Sequence, residues 1–498
     1  MDIPQPINRV VFAEKNLQLL KLWQWSVSAV HEDKETGIFE VLFRGSHFNG
    51  GGASTFINPD GSRLTPLEFD YIDNFHDGLA IIAVPGKGYG YINTAGEIIV
   101  PMIYENACFF HNNFSWVEKN SKWMLIDRFG KEITLSRKYK NFGWMSDGRC
   151  PVSTKILTGW REPIVNGEEY VAGLWGFIDE SGNEIIKPQY LYAANFENGL
   201  AVVCKRGWKK GKGKFWHIGE LWGVIDINGK EVIPCQHDEI DVFNDTSGIF
   251  QVHTGGWETG KWGVMDRTGK WLAPPVVNSI SCDYQDGLFV FYEYRNASGD
   301  GIVDKLYGVY DIPNQQVLFE PQFFEIDFMN DGLFCVKIID ADGNGREKII
   351  DRNGREIFPS DYSFIDCCTK PHLVIKRKGK DSLSGLIDTD GSVVLPCKYK
   401  TPFFGISYED QTIIFIRNGR QGMMDFDENI LIPADKQGIS RLARNLYCFK
   451  KNNLYGIVSK SGQIVLPAEY EKISLCRNNR IIAHSQNGVE VFEIKYIS

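Results

Sequence analysis

At 498 residues, 43% of them hydrophobic and 23% charged, the chain has the composition of an ordinary folded protein. A formal net charge of -9 disfavours general nucleic-acid binding, which needs a basic surface. No run of about 18 apolar residues offers a membrane span, and Met1-Asp2-Ile3-Pro4-Gln5 lacks a basic-then-apolar leader, so a cytoplasmic protein is expected.

Residues 1–53 read as an N-terminal segment with a partial repeat. Within it, residues 13–25 are the best helix candidate in a chain nearly devoid of helix signals. Residues 37–41 resemble the last strand of a unit whose first half is missing. From 54 to 488 one unit of about 35–50 residues recurs roughly eleven times, which decides the fold class before any local assignment. The clearest copy covers 175–203: Trp175-Gly176-Phe177-Ile178-Asp179, Gly182, Glu184-Ile185-Ile186, Pro188, Tyr190, Phe196, Gly199 and Leu200-Ala201-Val202-Val203. The copies are anchored at Ser54, Tyr89, Trp123, Trp175, Trp222, Trp262, Tyr307, Glu347, Ser384, Gln421 and Tyr455. Residues 489–498 form a terminal closing strand, whose start resembles a first strand without its second half.

Each recurring residue type has a physical task. An apolar run, Asp-x-x-Gly and a second apolar run describe two strands joined by a tight turn. The turn glycine (Gly61, Gly96, Gly130, Gly182, Gly229, Gly269, Gly354, Gly391, Gly462) supplies a positive φ. The proline that follows, as in Pro101, Pro234, Pro396 and Pro467, is expected to end the second strand because it cannot donate a ladder bond. The glycine after the aromatic anchor, as in Gly90, Gly176 and Gly223, is expected to let a neighbouring ring pack flat on the backbone. The recurring Asp (Asp127, Asp179, Asp226, Asp266, Asp311, Asp351, Asp388, Asp425) reads as a turn cap.

This pattern resembles the WG-repeat family, also written KWG, of bacterial proteins built from tandem copies of the motif. The resemblance covers about residues 54–485, and the copies from Glu347 onward depart most from it. It implies a repetitive β architecture and no single activity.

The fold class is therefore all-β, with propeller-like tandem repeats. Eleven copies and two complementary end fragments make about twelve units, hence two rings of about six blades; an open β-solenoid or superhelix is the alternative. The eleven cysteines include no Cys-x-x-Cys pair and recur at equivalent repeat positions, as buried packing thiols would.

Insertions between repeat strands are the natural binding elements. One, residues 153–174, carries Trp160 and Arg161. The next carries Lys205, Arg206, Trp208, Lys209, Lys210, Phe215 and Trp216, cations interleaved with aromatics that could grip an acidic partner or a phosphate. The plainer reading of that segment is an extended hairpin with a solvated basic tip. Residues 340–345 with Asp351 imitate a calcium loop, but their flanks read as strands and Asp351 already has a place in the repeat. The nine histidines are scattered and no nucleophile elbow or phosphate loop stands out, so no catalytic residue, metal or cofactor is expected. The expected function is a non-catalytic scaffold whose loops bind another protein. Nucleic acid is left open only at 205–217. The alternatives are a propeller-type hydrolase or carbohydrate-binding protein, and a component of a bacterial defence or toxin–immunity complex.

Overall fold

The computed structural model describes residues 9–14, 17–25, 29–42, 54–59, 62–84, 86–154, 173–210, 216–242, 248–256, 259–296, 303–329, 332–339, 345–357, 362–366, 372–377, 383–388, 392–399, 405–407 and 409–496. Among them, strands form twelve antiparallel sheets. Sheet 1 joins residues 9–25 to 472–496. Sheets 2 to 12 follow in chain order at 29–57, 71–104, 106–127, 141–190, 192–237, 239–277, 280–323, 325–350, 362–399, 405–436 and 438–470. Most are four-stranded meanders in simple sequence order.

The sequence repeat and the sheet are out of phase. Trp175–Asp179 and Glu184–Tyr190 are the third and fourth strands of sheet 5. The same unit continues as Tyr192–Ala193 and Leu200–Lys210, the first and second strands of sheet 6. Each unit therefore straddles two sheets and ties them covalently.

Core packing runs between sheets. Phe177 and Ile178, adjacent and fully buried, point to opposite faces: Phe177 packs toward sheet 6 and Ile178 toward sheet 4. With both faces covered, the middle strands read as unbroken apolar runs. One apolar cluster lies between each pair of successive sheets. Sheet 1, which holds both chain ends, packs on sheet 12 through Leu19, Ile481 and Ile457 and on sheet 2 through Val491 and Phe39.

Four local expectations are corrected. The described residues within 13–25 are strand and not helix: Arg9–Glu14 and Leu17–Trp25 are strands. Leu17 and Leu19 are buried at a spacing of two, and the segment is held by pairing with Gly488–Tyr496, a long-range partner that overrides local propensity. The C-terminal strand is thus completed by 17–25 and not by 37–41; Phe39–Leu42 is the second strand of sheet 2.

The prolines do not end their strands. Pro101, Pro188 and Pro234 sit inside Ile98–Tyr104, Glu184–Tyr190 and Glu231–His237. These are fourth strands, at the sheet edge, and the register slips at the proline: Trp175 faces Tyr190 while Phe177 faces Ile186. A residue without N–H suits a bulge on an edge strand, and it also blocks edge-to-edge pairing.

The same bulge explains the glycine after the anchor. A Cβ on Gly176 would stand 2.4 Å from the Ile186 carbonyl oxygen and 2.6 Å from the Pro188 nitrogen. Backbone, rather than a ring, is the main neighbour; rings of Phe415 and Phe449 also come close at Gly422 and Gly456. The turn glycines behave as expected, with φ of +81° at Gly182 and +83° at Gly229, while Gly61 and Gly391 lie outside the described residues.

Candidate binding surface

In a four-strand meander, the connection between strands two and three and the link to the next sheet leave from one end. The other two turns occupy the opposite end. Among the described residues that opposite end carries capped turns. First-to-second turns such as Asp77-Gly78, Asp147-Gly148 and Asn198-Gly199 have two consecutive positive φ values, the type I′ pattern. Their side chains stitch neighbouring sheets: Gly199 N–H donates to Asp147 Oδ2 at 2.7 Å, and Asn113 N–H to Asp77 Oδ2 at 3.2 Å. In the third-to-fourth turns, Asp179 Oδ1 accepts from the N–H of Ser181 and of Asn183, and Asp226 does the same; Asp127 and Asp351 do so just after the third strands of the three-stranded sheets 4 and 9. Local N–H bonds hold the Asp351 carboxyl below its ordinary value.

The long connections lie at the other end. They join strands two and three across 154–174 in sheet 5, 211–215 in sheet 6, 297–302 in sheet 8 and 340–344 in sheet 9. After most four-stranded sheets the link to the next sheet is short, as from Tyr190 to Tyr192 and from His237 to Glu239; after the three-stranded sheets 2, 4 and 9 it spans 58–70, 128–140 and 351–361. The short links bring the loop-bearing ends of successive sheets side by side.

Of the sequence candidates, Lys205 to Lys210 and Trp216 fall on one hairpin, Leu200–Lys210 against Trp216–Asp226, eleven residues each. The ladder continues to the pair Lys210–Trp216, so Arg206, Trp208 and Lys209 stand opposite Glu220, Ile218 and His217. Arg206 is exposed. Lys205 belongs to the frame: its ammonium pairs with Glu231 and lies 5.3 Å from the centre of the Tyr190 ring. Phe215, Trp160 and Arg161 lie outside the described residues, as does most of the calcium-like loop. The flanks of that loop are the strands Phe334–Ile339 and Gly345–Ile350.

Two cavities that the sequence did not signal lie at the first-strand edges. One, about 720 Å³, spans sheets 2 and 3 and is lined by Glu40, Tyr71 and Asp73 among others. Burial, helped by the nearby Asp73 charge, pushes the Glu40 carboxyl up to about 7. The Tyr71 hydroxyl donates to Asp73 Oδ2 at 2.6 Å. The second, about 560 Å³, runs along the first strand of sheet 6 between sheets 5 and 7. Among the described residues no disulfide joins the cysteines, and no three His, Cys, Asp or Glu side chains are grouped as a metal site requires. Cys150, fully buried, has its thiol pushed up to about 12 by desolvation, which fits a packing role.

A family model described as WG containing repeat matches residues 55–87, 89–123, 175–207, 222–256, 262–292, 385–401 and 455–483. No curated protein matches the chain significantly in sequence. Among solved structures, a computationally designed protein overlaps 61% of this chain and 95% of its own, at 14% identity and a TM-score of 0.24. The extracellular domain of a protein described as a hybrid two-component system of B. thetaiotaomicron overlaps 94% and 68%, at 12% identity and 0.22. The tricorn protease overlaps 92% and 61%, at 12% identity and 0.23. Overlaps this slight decide nothing about architecture or activity.

Proposed function

The chain is a WG-repeat protein, and from that premise we propose that it is a non-catalytic, cytoplasmic scaffold: a closed ring of sheets whose loop-bearing end receives another protein. Closure is supported by the pairing of Leu17–Trp25 with Gly488–Tyr496 and by the packing of that shared sheet on both its neighbours. A β-ribbon closed through its ends leaves no terminal sheet face bare. The unbroken succession of inter-sheet clusters favours one ring of twelve over two rings of about six.

The observation that carries the binding reading is topological. The longest connection, 154–174, and the extended hairpin 200–226 leave from the strand-two-to-three end, while among the described residues the opposite end carries side-chain-capped turns. A frame with its longest connections at one end suits recognition through several weak contacts around a few aromatic and arginine anchors. Trp208 and Trp216 on the sheet 6 hairpin, with Arg206 beside them, are the proposed anchors, together with Trp160 and Arg161 in the sheet 5 insertion.

The test is to replace residues 207–219 by a two-residue Asn-Gly turn and compare what co-purifies from the native host with what the parent retains. Loss of a protein partner with unchanged melting supports the reading; a partner held equally well by both forms removes the hairpin from it. Treatment with nuclease separates a protein partner from nucleic acid held by the basic tip.

A further inference from the structure

Two small residues just past first strands, Gly143 and Ala194, line the cavity of about 560 Å³. In sheets 3, 7 and 9 the register position after the paired residues Ile72, Ile240 and Ile326 holds Asp73, Asp241 and Asp327. In sheets 5 and 6 the same position, after Phe142 and Ala193, holds Gly143 and Ala194. Its volume lies within the range of about 300–1,000 Å³ common for small-molecule sites.

The polar groups along it are placed, not random. Asn195 Oδ1 accepts from the Trp144 backbone N–H at 2.9 Å and lies over Gly143, where a Cβ would stand 2.5 Å away. The amide is thereby fixed, and its Nδ2 group donates to no described residue. Arg267 is held by one bond, Nη2 to the Asn198 carbonyl at 2.7 Å, and lines the same cavity as Glu197 and Asp241. Aromatic rings flank these groups. Tyr192, 41% exposed, and Trp175 line the cavity, while the Trp144 ring turns to sheet 4. Behind Trp144 a run of rings extends across sheets 5, 4 and 3: Trp144 on His111 at 4.4 Å, and Phe109 on His76 at 4.3 Å.

We propose that this cleft binds a neutral oligosaccharide. A pyranose offers a flat C–H face and a rim of hydroxyls that both donate and accept. The phenol of Tyr192 and the indole of Trp175 suit the face. A free amide donor, two carboxylates and a guanidinium suit the rim. One cation against two carboxylates leaves no excess positive charge for a phosphate ligand, and the polar lining disfavours a purely apolar one. This inference goes beyond the scaffold reading and does not depend on it.

Titration calorimetry of the full chain with cellohexaose, chitohexaose and maltohexaose tests it. Saturable binding of at least one is expected, weakened about tenfold or more by both Tyr192→Ala and Asp241→Asn. Asp241 is exposed, so its substitution leaves the fold intact even if Tyr192→Ala does not. No saturation with any of the three up to about 10 mM, or binding that neither substitution weakens, overturns the proposal.

Discussion

Gly176→Ala gives the most direct probe of the repeat's internal logic. The added methyl would meet the Ile186 carbonyl oxygen at 2.4 Å and the Pro188 nitrogen at 2.6 Å. Neither is the tip of a flexible side chain, so the third and fourth strands of sheet 5 must part by several tenths of an ångström. Forced overpacking of this kind costs about 1–3 kcal/mol. Against it stands a gain of about 0.4–1 kcal/mol, because alanine restricts the unfolded chain. The net expectation is a destabilisation of about 1–2 kcal/mol. Gly438→Ala is the control: its φ is not positive and its nearest neighbour is the Lys450 Cβ at 3.7 Å, so only the gain should appear. Repeat arrays need not unfold in one step, so thermal melting is best paired with hydrogen exchange at 175–190. Faster exchange there and a melting point lowered by a few degrees are expected for Gly176→Ala alone. If both variants melt with the parent, the bulge does not impose the glycine.

Other outcomes follow from the same geometry. Gly182→Val should cost more than the about 1–2 kcal/mol of left-handed strain alone, because its Cβ also meets the Thr134 carbonyl oxygen at 2.4 Å; Gly229→Val meets only the Ile186 side chain at 3.1 Å and should cost less, an order that thermal melts can reverse. Asp147→Ala strips the partner from the solvent-exposed Gly199 N–H and should cost about 0.5–1.5 kcal/mol, read as faster exchange of that amide. Glu40 should make stability fall with rising pH. Its folded value of about 7 exceeds the ordinary 4.5, so its contribution is complete below pH 4.5 and is lost as pH rises through 7. Glu40→Gln should therefore raise the melting point relative to the parent at pH 8 more than at pH 5, and an equal effect at both would contradict the shift.

What the sequence made legible is what local backbone chemistry dictates. The turn at Gly182 announces itself because positive φ excludes most side chains, and Asp179 because it bonds N–H groups two and four residues on. The long hairpin at 200–226 was legible from spacing alone. What stayed hidden depends on partners distant in sequence. Leu17–Trp25 resembled a helix until its pairing with Gly488–Tyr496 fixed its face. The role of Pro188 required knowing that its strand lies at a sheet edge. The stitching of Asp147 to Gly199 crosses 52 residues, although the repeated Asp-Gly and Asn-Gly pairs were a usable signal for the turns themselves. The cleft beside Gly143 and Ala194 could be seen only as smaller residues at one repeat position.

The central claim is a single ring of twelve sheets closed by both termini. Class averages from electron microscopy of the purified protein test it most directly. The account predicts one annulus with twelve radial sheets, the count given by the strand pairing. An elongated open superhelix, or two smaller rings side by side, would contradict it.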